Sequence, residues 1–448
     1  MKVLEVKCII LSSFVGFNGL FLAMLTFFMF PIYLSMTYSA SPIIPNTTYI
    51  LAWNVPTEKC PKEYNVTINL SIYSFVGYPT KNNTGQNVTL FYVDRLGLYP
   101  HINTRTNEDV NGGIPQCGNL TVHLEEVGKN IKYYIKDGSV GLAVIDWEDW
   151  RPLWARNWGS KTIYQNKSIE LVIRRNSSLN INVNATAKRE FEEKAKDFML
   201  ETLKLGKLLR PKNYWGFYLF PDCYNHRYRQ KEYNGRCFEI EKKRNNQLKW
   251  LWNESTALYP SINLNKNLSS NPWAALFARN RVQEAFRVSA MHGVENPLPV
   301  FVYVRPDFTD APGEFLSEFD LMNTIGESIA LGASGIIVWG SLNFSKSEDS
   351  CNNLTNYLND VLNPYLLNVT RAAERCSQVL CKGQGICKRK LWNSADYLHL
   401  KGETFTTGNG DIKESKVNDN FTNLDEKEFA TKFECRCYSN MDCNQPSS

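Results

Sequence analysis

Gly141-Leu142-Ala143-Val144-Ile145-Asp146-Trp147-Glu148-Asp149-Trp150 runs from small and apolar residues straight into an acid, a tryptophan and a second acid. The apolar part reads as a short strand buried on both faces, the kind a parallel sheet contains. Side chains alternate along a strand, so Asp146 and Glu148 point the same way. Two adjacent carboxylates repel each other, which keeps one protonated near neutral pH and suits the pair to general acid work. Trp147 and Trp150 would add flat apolar walls that fit sugar rings. The plainer reading of the stretch is an acidic strand end facing solvent, with tryptophans that only pack.

Similar runs recur on both sides. Thr48–Asn54 and Val88–Tyr92 precede it; Trp215–Phe220, Ala257–Ile262, Pro299–Val304 and Gly335–Gly340 follow. Amphipathic stretches separate most of them. Ala187–Arg210 is the clearest helix, with Phe191, Ala195, Phe198, Thr202 and Leu205 on one face and Pro211 at its end. Pro272–Val288, Ser317–Leu331 and Asn352–Cys376 read as further helices. Strand and helix in alternation argue for a parallel sheet closed into a β/α barrel, with an open doubly wound sheet as the alternative. No glycine-rich phosphate loop follows any strand, so a nucleotide fold has little support. Barrel active sites gather at the carboxyl ends of the strands. Those ends carry Asn54, Tyr92, Asp146 with Glu148, Tyr218, Tyr259, Tyr303 and Trp339. Acids, tyrosines and a tryptophan on one rim make a sugar cleft.

The chain has 448 residues and a net charge of +5, too mild and too scattered to indicate nucleic acid. Residues 8–35 are uncharged and very apolar after Lys2, Glu5 and Lys7, so residues 1–40 read as an export signal or an uncleaved membrane anchor. Sequons recur from Asn46 and Asn65 to Asn368 and Asn420, a density hard to obtain in the cytosol. A secreted chain makes disulfides the default for its cysteines. Of the 12 cysteines Cys8 lies in the signal region, which leaves an odd number and one spare thiol. Six cysteines, Cys376, Cys381, Cys387, Cys435, Cys437 and Cys443, crowd the end of the chain. They suggest three bridges in a loop-rich module over 373–448, after a barrel over 41–372. Their spacing resembles an epidermal-growth-factor-like module with a long insertion at Lys388–Glu434. The chain stops at Asn444–Ser448 without a hydrophobic tail.

Several blocks together resemble the hyaluronidases, glycoside hydrolase family 56. They are Ala52-Trp-Asn54, Phe91–Gly97, Asn111–Gln116, Ala143–Glu148 with Trp150-Arg-Pro152, Trp215–Asn225, Ala257–Ile262, Leu331–Gly335 to Trp339, and Cys376–Cys381. Within the family the Tyr-Val-Asp-Arg-Leu-Gly block looks most like the vertebrate sperm-surface and testis type. The resemblance implies a distorted TIM-like β/α barrel with an EGF-like appendage. It implies endo-hydrolysis of β-1,4 links at N-acetylhexosamine units of hyaluronan, with retention and substrate assistance, and no metal or cofactor. Glu148 then matches the general acid, Asp146 the residue that orients the substrate's acetamido group, and Tyr218 a hydroxyl that holds it. Tyr259 and Trp339 match residues that shape that sugar's site, and Tyr92, Tyr303, Arg281 and Asp310 fall on substrate-lining positions. Asn54 would support the carboxylates. The implied bridges are Cys60–Cys351, Cys223–Cys237, Cys376–Cys387, Cys381–Cys435 and Cys437–Cys443, which leaves Cys117 as the spare thiol, buried or capped. Other readings are a weakly active hyaluronan-binding or adhesion protein of the sperm surface and a chondroitin-preferring hydrolase. The expected protein is a secreted or cell-surface monomer, with its N-terminal segment as the only route to a membrane.

Overall fold

The computed structural model describes residues 38–45, 47–175, 182–400, 405–407, 412–414, 423–439, 441 and 443. The signal-like segment up to residue 37 and the sequons at Asn46, Asn176 and Asn420 lie outside them.

Two parallel sheets curl toward each other. In one, Gly335–Trp339 lies between Ile50–Asn54 and Phe301–Val304. In the other, Gly141–Asp146 lies between Val88–Tyr92 and Asn213–Phe217. Segment 257–261 joins them on one side through the single bridges Tyr218–Tyr259, Leu258–Val300 and Ser261–Tyr303. A continuous strand was expected over Ala257–Ile262. Pro260 has no N–H to give a ladder, and the pairing there is reduced to isolated bridges. On the other side the short strand Phe75–Val76 pairs with Ala52 and Trp53. The Gly77 amide then donates to the Trp53 carbonyl at 2.9 Å. A Cβ on Gly77 would stand 2.0 Å from the Val88 carbonyl oxygen, so only glycine lets the two halves meet there. The result is a distorted β/α barrel.

Alternation sorts the strand residues into two layers. Ile50, Ala52, Leu90, Leu142, Val144 and Ile337 pack inside the barrel. Their neighbours Leu51, Trp53, Phe91, Ala143, Ile145 and Val338 face the surrounding helices. Helix Val183–Leu209 starts earlier than its apolar spacing suggests because the Asn182 side chain accepts from the Ala185 amide. It buries Phe191, Ala195, Phe198 and Thr202, while Leu205 is only partly covered. The expected helix over Ser317–Leu331 is opened by a Ser317–Asp320 capping box and widened into a π turn at Met322–Gly326. A second π turn, Leu358–Leu362, separates helices Glu348–Tyr357 and Asn363–Cys381. No helix among the described residues is long and apolar enough to cross a membrane.

Five disulfides are formed: Cys60–Cys351, Cys223–Cys237, Cys376–Cys387, Cys381–Cys435 and Cys437–Cys443. Cys117 makes no disulfide and is exposed, not buried, because it ends a surface turn at Pro115–Cys117. Helix Asn363–Cys381 carries two of the bonded cysteines and runs unbroken across position 372. The paired strands Gly385–Arg389 and Phe433–Cys437 follow it. Beneath them Glu327, fully buried, receives Arg279 at 2.5 Å, Arg389 at 2.6 Å and the Tyr397 hydroxyl at 2.8 Å. At the barrel's base Ser39 donates its amide to the Cys437 carbonyl at 2.8 Å. It sits beside Ser334 and Ile50, where two of the strands begin.

Candidate active site

The interior parity of each strand carries one residue to the barrel mouth. Asp146 follows Leu142 and Val144, Tyr92 follows Val88 and Leu90, and Trp339 follows Gly335 and Ile337. Tyr92 and Asp146 are register partners. Asp146, Glu148 and Tyr92 border a cavity of about 350 Å³ together with Asp149, Lys161 and Tyr164. Tyr218 borders a second cavity of about 450 Å³ with Arg156, Trp158, Asn263 and Arg281. Arg151 and Lys161 stand at the cleft, Lys161 touching both cavities.

The two carboxyls differ in burial. Burial first, then the charge of Glu148, pushes the Asp146 carboxyl up to about 8, so it holds a proton at neutral pH. Its Oδ1 is buried and has no hydrogen-bond partner among the described residues. Mutual repulsion was expected to be the cause; burial outranks it because Asp146 sits inside the barrel wall. Glu148 has a half-exposed side chain and pairs with Arg151 at 2.9 Å. Arg151 also donates to the Glu148 carbonyl at 3.1 Å, which fixes the turn that follows the strand.

The hydroxyls fall into a network. Trp339 Nε1 donates to the Tyr92 hydroxyl at 3.1 Å, and burial pushes the Tyr92 phenol up to about 12. The Tyr218 hydroxyl lies 3.4 Å from Ser261 Oγ and accepts from Asn263 Nδ2 at 3.3 Å. Burial raises its pKa as well, so it stays a donor. Ser261 and Asn263 were not expected at the site. Both continue the alternation Ala257, Tyr259, which was the available signal.

Other expected residues take different work. Trp147 and Trp150 do not wall the cleft; they stack on Tyr99 at 4.7 and 5.0 Å in the outer core. Asn54 is fully buried, donates to the Gly77 carbonyl at 2.8 Å and accepts from the Tyr303 hydroxyl at 3.4 Å. Those two bonds close the seam, and neither reaches a carboxyl. Tyr303, 1% exposed, gives its hydroxyl to that bond, packs its ring against Tyr218 at 5.1 Å and borders neither cavity. Tyr259, 0% exposed, donates to the Tyr214 carbonyl at 2.5 Å, down the barrel and away from the mouth. Arg281 borders the larger cavity, but its nitrogens are taken by Asn225, the Ser261 carbonyl, His226 and Asp222. It organises the cavity floor. Asp310 is exposed and accepts from the Lys266 amide at 2.7 Å, outside both cavities.

A parallel barrel whose mouth sets a buried, protonated carboxyl beside an accessible one, with tyrosines in an open cleft, is the architecture of a glycoside hydrolase. The chain belongs to the hyaluronidase family, whose sequence profile matches residues 38–447. It is 51% identical to human hyaluronidase PH-20 over 447 residues, which covers 99% of this chain and 87% of that protein. It is 50% identical to mouse hyaluronidase-5, over 99% of this chain and 85% of the relative. Bee venom hyaluronidase is 31% identical and superposes with a TM-score of 0.61, over 71% of this chain and 99% of its own. Its crystal structure in complex with a hyaluronic acid tetramer gives a TM-score of 0.60 at 30% identity, over 71% and 98%.

Proposed function

We propose that the protein is a secreted or cell-surface endo-β-N-acetylhexosaminidase that cleaves the β-1,4 links of hyaluronan with retention. The observation that carries this reading is the division of labour between a buried, protonated Asp146 and an accessible Glu148 on one cleft. The substrate's acetamido oxygen attacks its own anomeric carbon while Glu148 gives a proton to the departing glycosidic oxygen. Water then opens the resulting oxazolinium ring and returns a proton to Glu148. Because the nucleophile belongs to the substrate, carboxyl separation does not dictate the stereochemical outcome. At rest the pair's proton sits on Asp146. When the acetamido N–H arrives beside Asp146 that carboxyl becomes its acceptor, the proton passes to Glu148, and Arg151 withdraws. The Tyr218 hydroxyl, always protonated, holds the acetamido group in line.

The ion pair between Arg151 and Glu148 favours one rival, a hyaluronan-binding surface protein with little turnover. Chondroitin is the competing substrate. Mass analysis of digests of both polymers at acid and neutral pH decides among them. Hyaluronan oligosaccharides ending in N-acetylhexosamine are the expected product. A folded protein that releases nothing at any pH overturns the hydrolase reading, and chondroitin fragments in excess overturn the substrate.

A further inference from the structure

Lys161 enters the cleft from the turn Gly159–Lys161, just before helix Thr162–Arg175. Its ammonium donates to the Glu148 carbonyl and, at 3.2 Å, to the Asp149 carbonyl. An ammonium has three N–H donors, so one remains. The other cations of the cleft are neutralised: Arg151 by Glu148 at 2.9 Å, Arg156 by Asp222 at 3.0 Å and Glu241 at 3.2 Å, and Arg281 by Asp222 at 3.5 Å. Among the described residues Lys161 has only backbone carbonyls as hydrogen-bond partners and no ion pair within 4.0 Å. It is also the lysine that borders both cavities. Burial and the neighbouring Arg151 lower its hold on its proton, a cost that an arriving anion would offset.

We propose that Lys161 recognises the carboxylate of the hexuronate adjoining the cleaved hexosaminide bond, and so selects an acidic polymer. This rests on the hyaluronan reading above. In an alternating polymer, seating an N-acetylhexosamine against Asp146 and Tyr218 places a uronate on each side. Lys161 lies between the two cavities that receive those neighbours. A compact ammonium beside a carboxylate makes a charge-assisted hydrogen bond. Its two carbonyl bonds transmit that contact to the turn carrying Glu148.

The test compares a hyaluronan octasaccharide with the same sugar after reduction of its carboxylates to alcohols. Binding is measured by calorimetry and turnover by product mass, for the wild type, Lys161→Met, Lys161→Gln and Lys161→Arg. The wild type is expected to bind the native sugar about tenfold tighter than the reduced one, the usual scale for a hydrogen bond to a charged group. Lys161→Met should bind both alike. Lys161→Gln, which can still donate to both carbonyls, should also lose the preference, and Lys161→Arg should restore most of it. If Lys161→Gln keeps the wild-type preference, or weakens both sugars equally, the proposal is overturned. A wild type that binds with this preference yet cuts nothing overturns the hydrolase reading and leaves the Lys161 assignment supported. A wild type that binds neither sugar overturns both.

Discussion

The Asp146 carboxyl keeps its proton to about pH 8 because the barrel wall removes water from it, and Glu148 adds only a second contribution. Two consequences follow for this pair. Above about pH 8 it has no proton left to deliver, so kcat should fall on the alkaline side, with an apparent value that belongs to the pair. Stability runs in the same direction. The folded protein binds a proton at Asp146 that the unfolded chain loses near 3.8, so stability declines as pH rises from there to about 8. The slope is about 1.4 kcal/mol per pH unit. Asp146→Asn should remove this slope in urea titrations and be more stable than the wild type at pH 7, though inactive; an unchanged slope refutes the assignment. Glu148→Gln should abolish turnover, by about 1,000-fold or more, and leave octasaccharide binding within about twofold of wild type. Near-normal rates would move the acid elsewhere. Alternation made this carboxyl pair legible in the sequence. It could not say that Tyr259 lies one layer deeper than Tyr218, or that Trp147 and Trp150 turn outward onto Tyr99.

The barrel depends on its two irregular joints more than on its regular strands. Strands rich in β-branched and apolar residues, such as Gly141–Asp146 and Gly335–Trp339, announced themselves and formed full ladders. The joints did not. Segment 257–261 had the composition of a strand but carries Pro260, and its pairing is sparse. Phe75–Val76 with Gly77 is too short to show any periodicity, yet it bridges the two sheets and gives Asn54 its partner. Gly77→Ala should force the seam apart, because its Cβ would overlap the Val88 carbonyl. A loss of about 1–3 kcal/mol is expected, the usual cost of overpacking. Thermal unfolding measures it, and a melting temperature equal to wild type would show that the seam yields freely. Activity of the folded fraction should fall too, since Val88–Tyr92 carries Tyr92 to the mouth.

At the scale of the molecule, the cysteine-rich end is stapled internally by sulfur and held to the barrel by buried charge. Glu327 balances Arg279 from the barrel side and Arg389 from the strand after helix Asn363–Cys381. Replacing it with glutamine leaves two buried guanidinium groups facing one neutral amide. Glu327→Gln should cost about 3–5 kcal/mol, as breaking buried ion pairs does. Denaturation should show whether both parts are lost together; a variant as stable as wild type would mean the two arginines find other acceptors. The cysteine count made a stapled terminal region legible, but a single Glu among many gave no sign of this role. One last consequence concerns Ser39, clipped to Cys437 beside the starts of the strands. That clip lies at the amino ends of Ile50–Asn54 and Gly335–Trp339, while Asp146 and Glu148 open at the carboxyl end of their strand. A loosened cysteine-rich end would therefore be felt first at the amino ends of the strands, a whole strand length from the sugar.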